Sequence, residues 1–208
     1  MPFVKPVAPA TPSSDQGTEV GAASAITDLT SRDAEIRWSA ARALGAHREA
    51  VSALAAALGV EQVAHVREAM MTALMCIDGE ASVRALLPFL RSQDAGLRAS
   101  AVEALQAMPR AISPFLEPLL ADSDSDVRVL ATELARNIPA AEATHVLCQL
   151  LDQEQHPNVC GAAIEVLAEV GTRDAIPTLR SCADRFSKIP YLSFAVSTAI
   201  ARVSDSEG

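Results

Sequence analysis

Aromatic residues are almost missing from this sequence. Only 3% of its 208 residues are Phe, Trp or Tyr, although half of the chain is hydrophobic. A core must therefore be assembled from Ala, Leu, Val and Ile, and the unbranched members of that set are strong helix formers. Glycine is sparse too, with nine residues, which argues against a turn-rich all-β domain. No stretch reaches the roughly eighteen uninterrupted apolar residues of a membrane helix, so no membrane partner is expected. Positive charge is in deficit: 17 Lys and Arg face 26 Asp and Glu, a formal charge of −9. That background repels phosphates and disfavours nucleic acid as a partner.

The opening stretch, MPFVKPVAPATPSSDQG, lacks the apolar run of a secretion signal. With Pro2, Pro6, Pro9 and Pro12, residues 1–18 are expected to be a disordered Pro-rich tail ahead of a folded domain spanning 19–208. Cys76, Cys148, Cys160 and Cys182 have no framework spacing. They read as buried free thiols in a reducing compartment, and a cytoplasmic location is expected.

What the chain does have is a period. The pairs Ile36-Arg37, Val66-Arg67, Leu97-Arg98, Val127-Arg128 and Val159-Cys160 recur at steps of 30, 31, 30 and 32 residues. Counting from each arginine position, Ala40, Met70, Ala101, Ala131 and Ala163 stand at +3. Ala43-Leu44, Ala73-Leu74, Ala104-Leu105, Leu134-Ala135 and Val166-Leu167 stand at +6 and +7. Positions −1, +3, +6 and +7 share one helical face, so each repeat opens with an amphipathic helix, A. A second apolar stretch follows each time, in the third repeat ISPFLEPLL, and forms helix B. Pro114 and Pro177 suit a first turn of helix B, whereas Pro88 and Pro118 should bend or shorten theirs.

The run Asp122 to Glu133, DSDSDVRVLATE, has the acidic spacing of a calcium loop. It carries Val127 where that loop needs glycine for its sharp turn. Asp33, Asp94 and Asp124 all lie four residues before a repeat arginine, where a helix N-cap belongs. The acidic run is a repeat boundary. His145, Cys148, His156 and Cys160 have zinc-ligand chemistry, but their spacing matches no zinc module, and no metal is expected.

A helix pair of 30 to 32 residues opening with D-x-x-x-[VIL]-R resembles the HEAT-repeat family, closest to the short bacterial units also found in bilin lyases. The resemblance implies an all-α α-solenoid, a HEAT-like superhelix of about five helix pairs plus a terminal helix. It also implies an Asp–Arg ladder between neighbours, matched by Arg37, Arg67, Arg98 and Arg128. Cys160 departs from that pattern, and Val63, in the aspartate position, should interrupt the ladder. Related di-iron hydroxylases carry His-Glu pairs, and none occurs here. No Gly-rich phosphate loop or nucleophile elbow is present either, so neither catalytic residues nor a cofactor are expected.

The function this implies is a non-enzymatic scaffold or adaptor that binds a protein partner on a curved surface. A bilin-lyase-like subunit assisting chromophore attachment and a nucleic-acid-binding HEAT-like protein are the alternatives. The A helices with their leading turns carry twelve acidic and six basic residues, whereas the B helices carry six of each. The neutral B layer is the expected binding face, with Arg84, Arg91, Glu117, His145, Gln149 and Arg180 exposed along it. Trp38 is expected to be partly exposed. In the terminal helix no charge lies between Pro190 and Ala201, and Tyr191 and Phe194 fall off the inward stripe. A homodimer through Phe194 is the favoured expectation there, and docking on the partner is its rival.

Overall fold

The computed structural model describes residues 14–205, with side chains from residue 21 onward. Every regular element among them is helical. The chain forms two compact units, one reaching to Ala73 and the other beginning at Leu74.

The first unit contains α1 (Ser14–Asp28), α2 (Ala34–Ala43), α3 (Val51–Val60) and most of α4 (Ala64–Ile77). Helix α1 begins at Ser14, inside the stretch expected as tail, and residues 1–13 lie outside the described residues. It buries Ala22, Ala25 and Leu29, a helical spacing, and lies against α2. The inward stripe of α2 and α4 follows the period: Ala40, Leu44, Val66, Met70 and Ala73 are buried. Ile36 departs from it at 44% exposed, with one helix rather than a pair ahead of it. Trp38 is half-buried, and the Arg42 guanidinium stacks over its ring at 4.7 Å.

The second unit continues with α5 (Glu80–Leu86), α6 (Ala95–Gln106), α7 (Pro109–Ile112), α8 (Leu116–Leu120) and α9 (Ser125–Leu134). It ends with α10 (Ala140–Gln153), α11 (Pro157–Val170), α12 (Ile176–Arg185) and α13 (Pro190–Asp205). Two layers result. The A helices α6, α9, α11 and α13 stack in chain order, and the B helices pack as α5 on α7, α8 on α10 and α10 on α12. Leu97, Val127 and Val159 at −1 are buried, as are Ala101, Ala131 and Ala163 at +3. Each buried leucine of the B layer, such as Leu116 or Leu147, contributes roughly 1.5–3 kcal/mol. No single repeat supplies both sides of that core.

Proline shapes the B helices. Pro88 ends α5, and the chain continues as a 3-10 turn from Leu87 to Arg91. Pro114 lies in a 3-10 turn, Ser113–Phe115, that splits the third B helix into α7 and α8, rather than in its first turn. The ring has no N–H to donate and crowds the preceding turn. Pro177 falls in the first turn of α12, as expected.

Candidate functional site

Each repeat begins with the same device. The side chain at the arginine position donates to the carbonyl six residues earlier: Arg37 to Ser31 at 2.9 Å, Arg98 to Ser92 at 2.6 Å, Arg128 to Asp122 at 2.8 Å. Arg67 does so from Nε to Glu61 at 2.6 Å, and even Cys160 lies 3.7 Å from the Glu154 carbonyl. The side chain six before that position then accepts the amide two residues on, whether Ser31, Ser92, Asp122, Glu61 or Glu154.

Boundaries with aspartate at −4 use it as an N-cap: Asp33, Asp94 and Asp124 accept from Glu35, Gly96 and Asp126 amides. This is what the acidic run does: Asp124 caps α9, while Glu133 at its far end pairs with Arg136 instead. Where −4 is Val63 or His156, position −6 is a glutamate, and the longer side chain reaches back to the preceding arginine. Arg37 pairs with Glu61 at 2.6 Å and Arg128 with Glu154 at 2.7 Å, each through two nitrogens. The expected interruption at Val63 is therefore corrected. A link between successive repeats does occur there, because Glu61 carries it.

Electrostatics follow the geometry. The Arg37 hydrogen bond outweighs burial and holds the Glu61 carboxyl down to about 2. Burial pushes the Glu154 carboxyl up, but Arg128 and the amides of His156 and Gln155 prevail, and it too lies below its ordinary value. On the A layer Arg136, held above its usual value by Glu133 and Glu169, gathers Glu133, Glu165 and Glu169. Nothing in the helical period marks that cluster.

All seven side chains proposed as contacts are exposed, and all lie in the second unit. Glu117 and Gln149 come together: they line one groove of about 650 Å³ between α8 and α10, with Leu120, Val146, Asp152 and the Arg128–Glu154 pair. His145 lies one turn before Gln149 on α10. Arg91 joins the groove indirectly, by pairing with Asp122, another lining residue, and more loosely with Asp124 at 3.6 Å. Arg84 pairs with Glu80 and stacks over Phe115 at 4.8 Å. Arg180 lies on α12 and Phe194 on α13, and neither reaches that groove. The matched contexts of Arg91 and Arg180 do not give matched roles.

The cysteine reading needs correction. Cys160 and Cys182 are buried, but Cys148 is half-buried and Cys76 is exposed. Cys76 falls off the inward stripe of α4, at the +9 position from Arg67. Both His145 and His156 are exposed, and no cluster of three or more His, Cys, Asp or Glu that could hold a metal occurs among the described residues. None of the described helices is long and apolar enough to cross a membrane.

A stack of helix pairs held by cap and carbonyl bonds at each boundary defines an all-α helical-repeat protein. The family profile of HEAT repeats matches residues 23–106 and 112–189, and the chain belongs to that family. Among solved structures it is similar to the archaeal HEAT-like repeats protein from Thermococcus onnurineus, at 14% identity and a TM-score of 0.50, covering 91% of this chain and 90% of that one. That likeness shows the same solenoid fold. Two further similarities are a designed armadillo repeat protein in complex with the peptide (KR)4 and the complex of CpcE and CpcF of phycocyanin lyase from Nostoc. The first has 17% identity, 86% and 98% coverage and a TM-score of 0.43. The second has 20% identity, 89% and 83% coverage and a TM-score of 0.41. No curated protein matches the sequence.

Proposed function

We propose that the chain is a non-enzymatic adaptor that holds a protein partner along the B-helix side of its second unit. The groove between α8 and α10 is the observation that carries this reading. Its volume of about 650 Å³ suits a few side chains of a polypeptide segment. Leu120, Val146 and Leu150 give it apolar walls, and Glu117 and Asp152 add carboxylates, so the fitting segment combines aliphatic with basic residues. Exposed charge pairs contribute only about 0–1 kcal/mol each. Leu150 and the edges of the largely buried Leu120 and Val146 add apolar contact, while the carboxylates steer and select. Arg84, Arg91, His145 and Arg180 continue the face on neighbouring B helices.

A second contact is proposed at α13, where Phe194 is 75% and Tyr191 50% exposed. The occupant is a second copy of the chain. A patch without charge from Pro190 to Ala201 can meet itself without like-charge repulsion, although the chain as a whole carries −9.

The test of the groove is affinity capture from the native cell extract with three baits: the unmodified protein, Glu117→Arg with Gln149→Arg, and Glu103→Arg on the exposed side of α6. A protein held by the first and third baits but lost from the second supports the groove. Equal retention by all three places the partner elsewhere.

A further inference from the structure

Helix α3 turns a partly bare stripe outward. Ala53, Ala56, Ala57 and Val60 recur at i, i+3, i+4 and i+7, one face of the helix. Its buried face is a different one, carried by Leu54 and Leu58. Val60 is 77% exposed. The later B helices pack one on another, but α3 is the first of them and α1 alone precedes its repeat. A groove of about 640 Å³ is left between α3 and α1, walled by that stripe with Ile26 and Leu29. The Arg37–Glu61 pair borders it. A terminal unit of a stacked array needs such a face capped, because no neighbour arrives to bury it.

We propose that this groove is the docking site of the chain's own first thirteen residues, MPFVKPVAPATPS. The segment lacks the low hydrophobicity and high charge that keep a chain unfolded, since Lys5 is its one charged side chain. Read at three residues per turn, the period of polyproline II, it is amphipathic. Phe3, Pro6, Pro9 and Pro12 share one face, Val4, Val7 and Ala10 the next, and Lys5 and Thr11 the third. Two apolar faces can thus enter a groove while the third keeps Lys5 in water. The prolines hold φ near the value this form needs, which lowers the entropy cost of docking.

The reach fits as well. Helix α1 begins at Ser14, and Ile26 lies twelve residues along it, about 18 Å at the helical rise. Val4 and Phe3 precede Ser14 by ten and eleven residues, about 31 and 34 Å at the polyproline rise. A segment doubling back along α1 therefore carries both side chains to the groove with length to spare for the turn. Tethering keeps the segment at a millimolar effective concentration, which favours it over a free partner of the same chemistry. Docked there, it stands in for the B helix that a preceding repeat would supply.

The test uses the full chain with the photoreactive residue p-benzoylphenylalanine in place of Phe3, illuminated and mapped by peptide mass. Unlabelled and isotope-labelled chains are mixed first. Expected is a cross-link from residue 3 to the groove, within 26–30 or 53–63, in which both peptides carry the same label. Adding Val60→Asp should cut its yield about tenfold, because docking would bury an unpaired carboxylate. Thermal unfolding gives an independent reading on the chain without the probe. At so exposed a site Val60→Asp is ordinarily neutral. Here it and Phe3→Asp should each lower the melting temperature by a few degrees, and no further when combined. Cross-links of mixed label would give the groove to a neighbouring copy, and cross-links spread over the rest of the chain would leave the segment undocked. Either overturns the proposal, as does a melting temperature that neither substitution moves.

Discussion

Arg128 and Glu154, 26 residues apart, face each other through two hydrogen bonds of 2.7 and 3.2 Å, and little of either side chain reaches solvent. One of those Glu154 oxygens, Oε1, also accepts the amides of Gln155 and His156. One carboxylate thus starts α11 and fastens it to α9.

Removing a partner from a buried pair leaves a charge without compensation, at a cost of about 3–5 kcal/mol when burial is complete. Arg128 keeps some solvent contact, so Glu154→Ala is expected to cost about 2–4 kcal/mol. Glu80→Ala, which breaks the exposed pair with Arg84, should stay within about 0.5 kcal/mol. Urea unfolding midpoints of the two variants measure the contrast.

Glu61 gives the pH dependence a sign. Its folded value, about 2, lies below the ordinary 4.5, so the folded state keeps the proton off more strongly than the unfolded chain does. The stabilisation is complete above the unfolded value and is lost as pH falls from about 4.5 through about 2. Glu61→Gln should therefore flatten the acid limb of a stability–pH curve, by up to about one proton in slope. An unchanged limb would show that the Arg37 pair does not persist in solution.

Arg91 and Arg180 should separate under the same substitution. Arg91→Glu sets a third carboxylate beside Asp122 and Asp124 and is expected to lower the melting temperature by several degrees. Arg180→Glu, on an exposed site of α12, should leave it within about one or two degrees. Partner capture should fall in both. Equal thermal shifts would remove the distinction.

At α13, Phe194→Asp should preserve the helical spectrum and turn a concentration-dependent dimer into a monomer in light scattering. Leu192→Ala, two residues away but fully buried, should instead cost about 2–5 kcal/mol of stability. A monomer at every concentration for the unmodified protein would dismiss the α13 contact.

Gly79 adopts φ +87° at the start of α5, after Asp78 at φ 55°. A side chain there meets open space, so Gly79→Ala isolates the backbone term and should cost about 1 kcal/mol. Thermal unfolding reads it, and a neutral or stabilising result would mean the turn relaxes.

Stacking made the architecture legible in the sequence. In the second unit each A helix packs on the next, so Leu97, Val127 and Val159 repeat one burial requirement at nearly one spacing. The links between repeats were not legible, since Arg37 and Glu61 meet 24 residues apart and only through the reach of a glutamate. The part of α1 that buries Ala22, Ala25 and Leu29 falls within the short leading helix expected near 20–30, and only its beginning at Ser14 lies in the stretch expected as tail. Exposure of the contact residues was readable from the helical face. Their pairing was not, because the Asp122 partner of Arg91 belongs to the next boundary, 31 residues on.

Glutamate boundaries also limit how such a gene can grow. A repeat that opens with glutamate at −6 needs an arginine in the repeat before it, and Glu61 and Glu154 have Arg37 and Arg128 there. The repeat beginning at Glu154 carries Cys160 in the arginine position, and Ser187 occupies the corresponding boundary of α13. A tandem duplication of that repeat would set the copied glutamate against a thiol, burying a carboxylate with no arginine to meet it. The order of the modules is thus directional, and this one cannot follow itself without a second, compensating mutation.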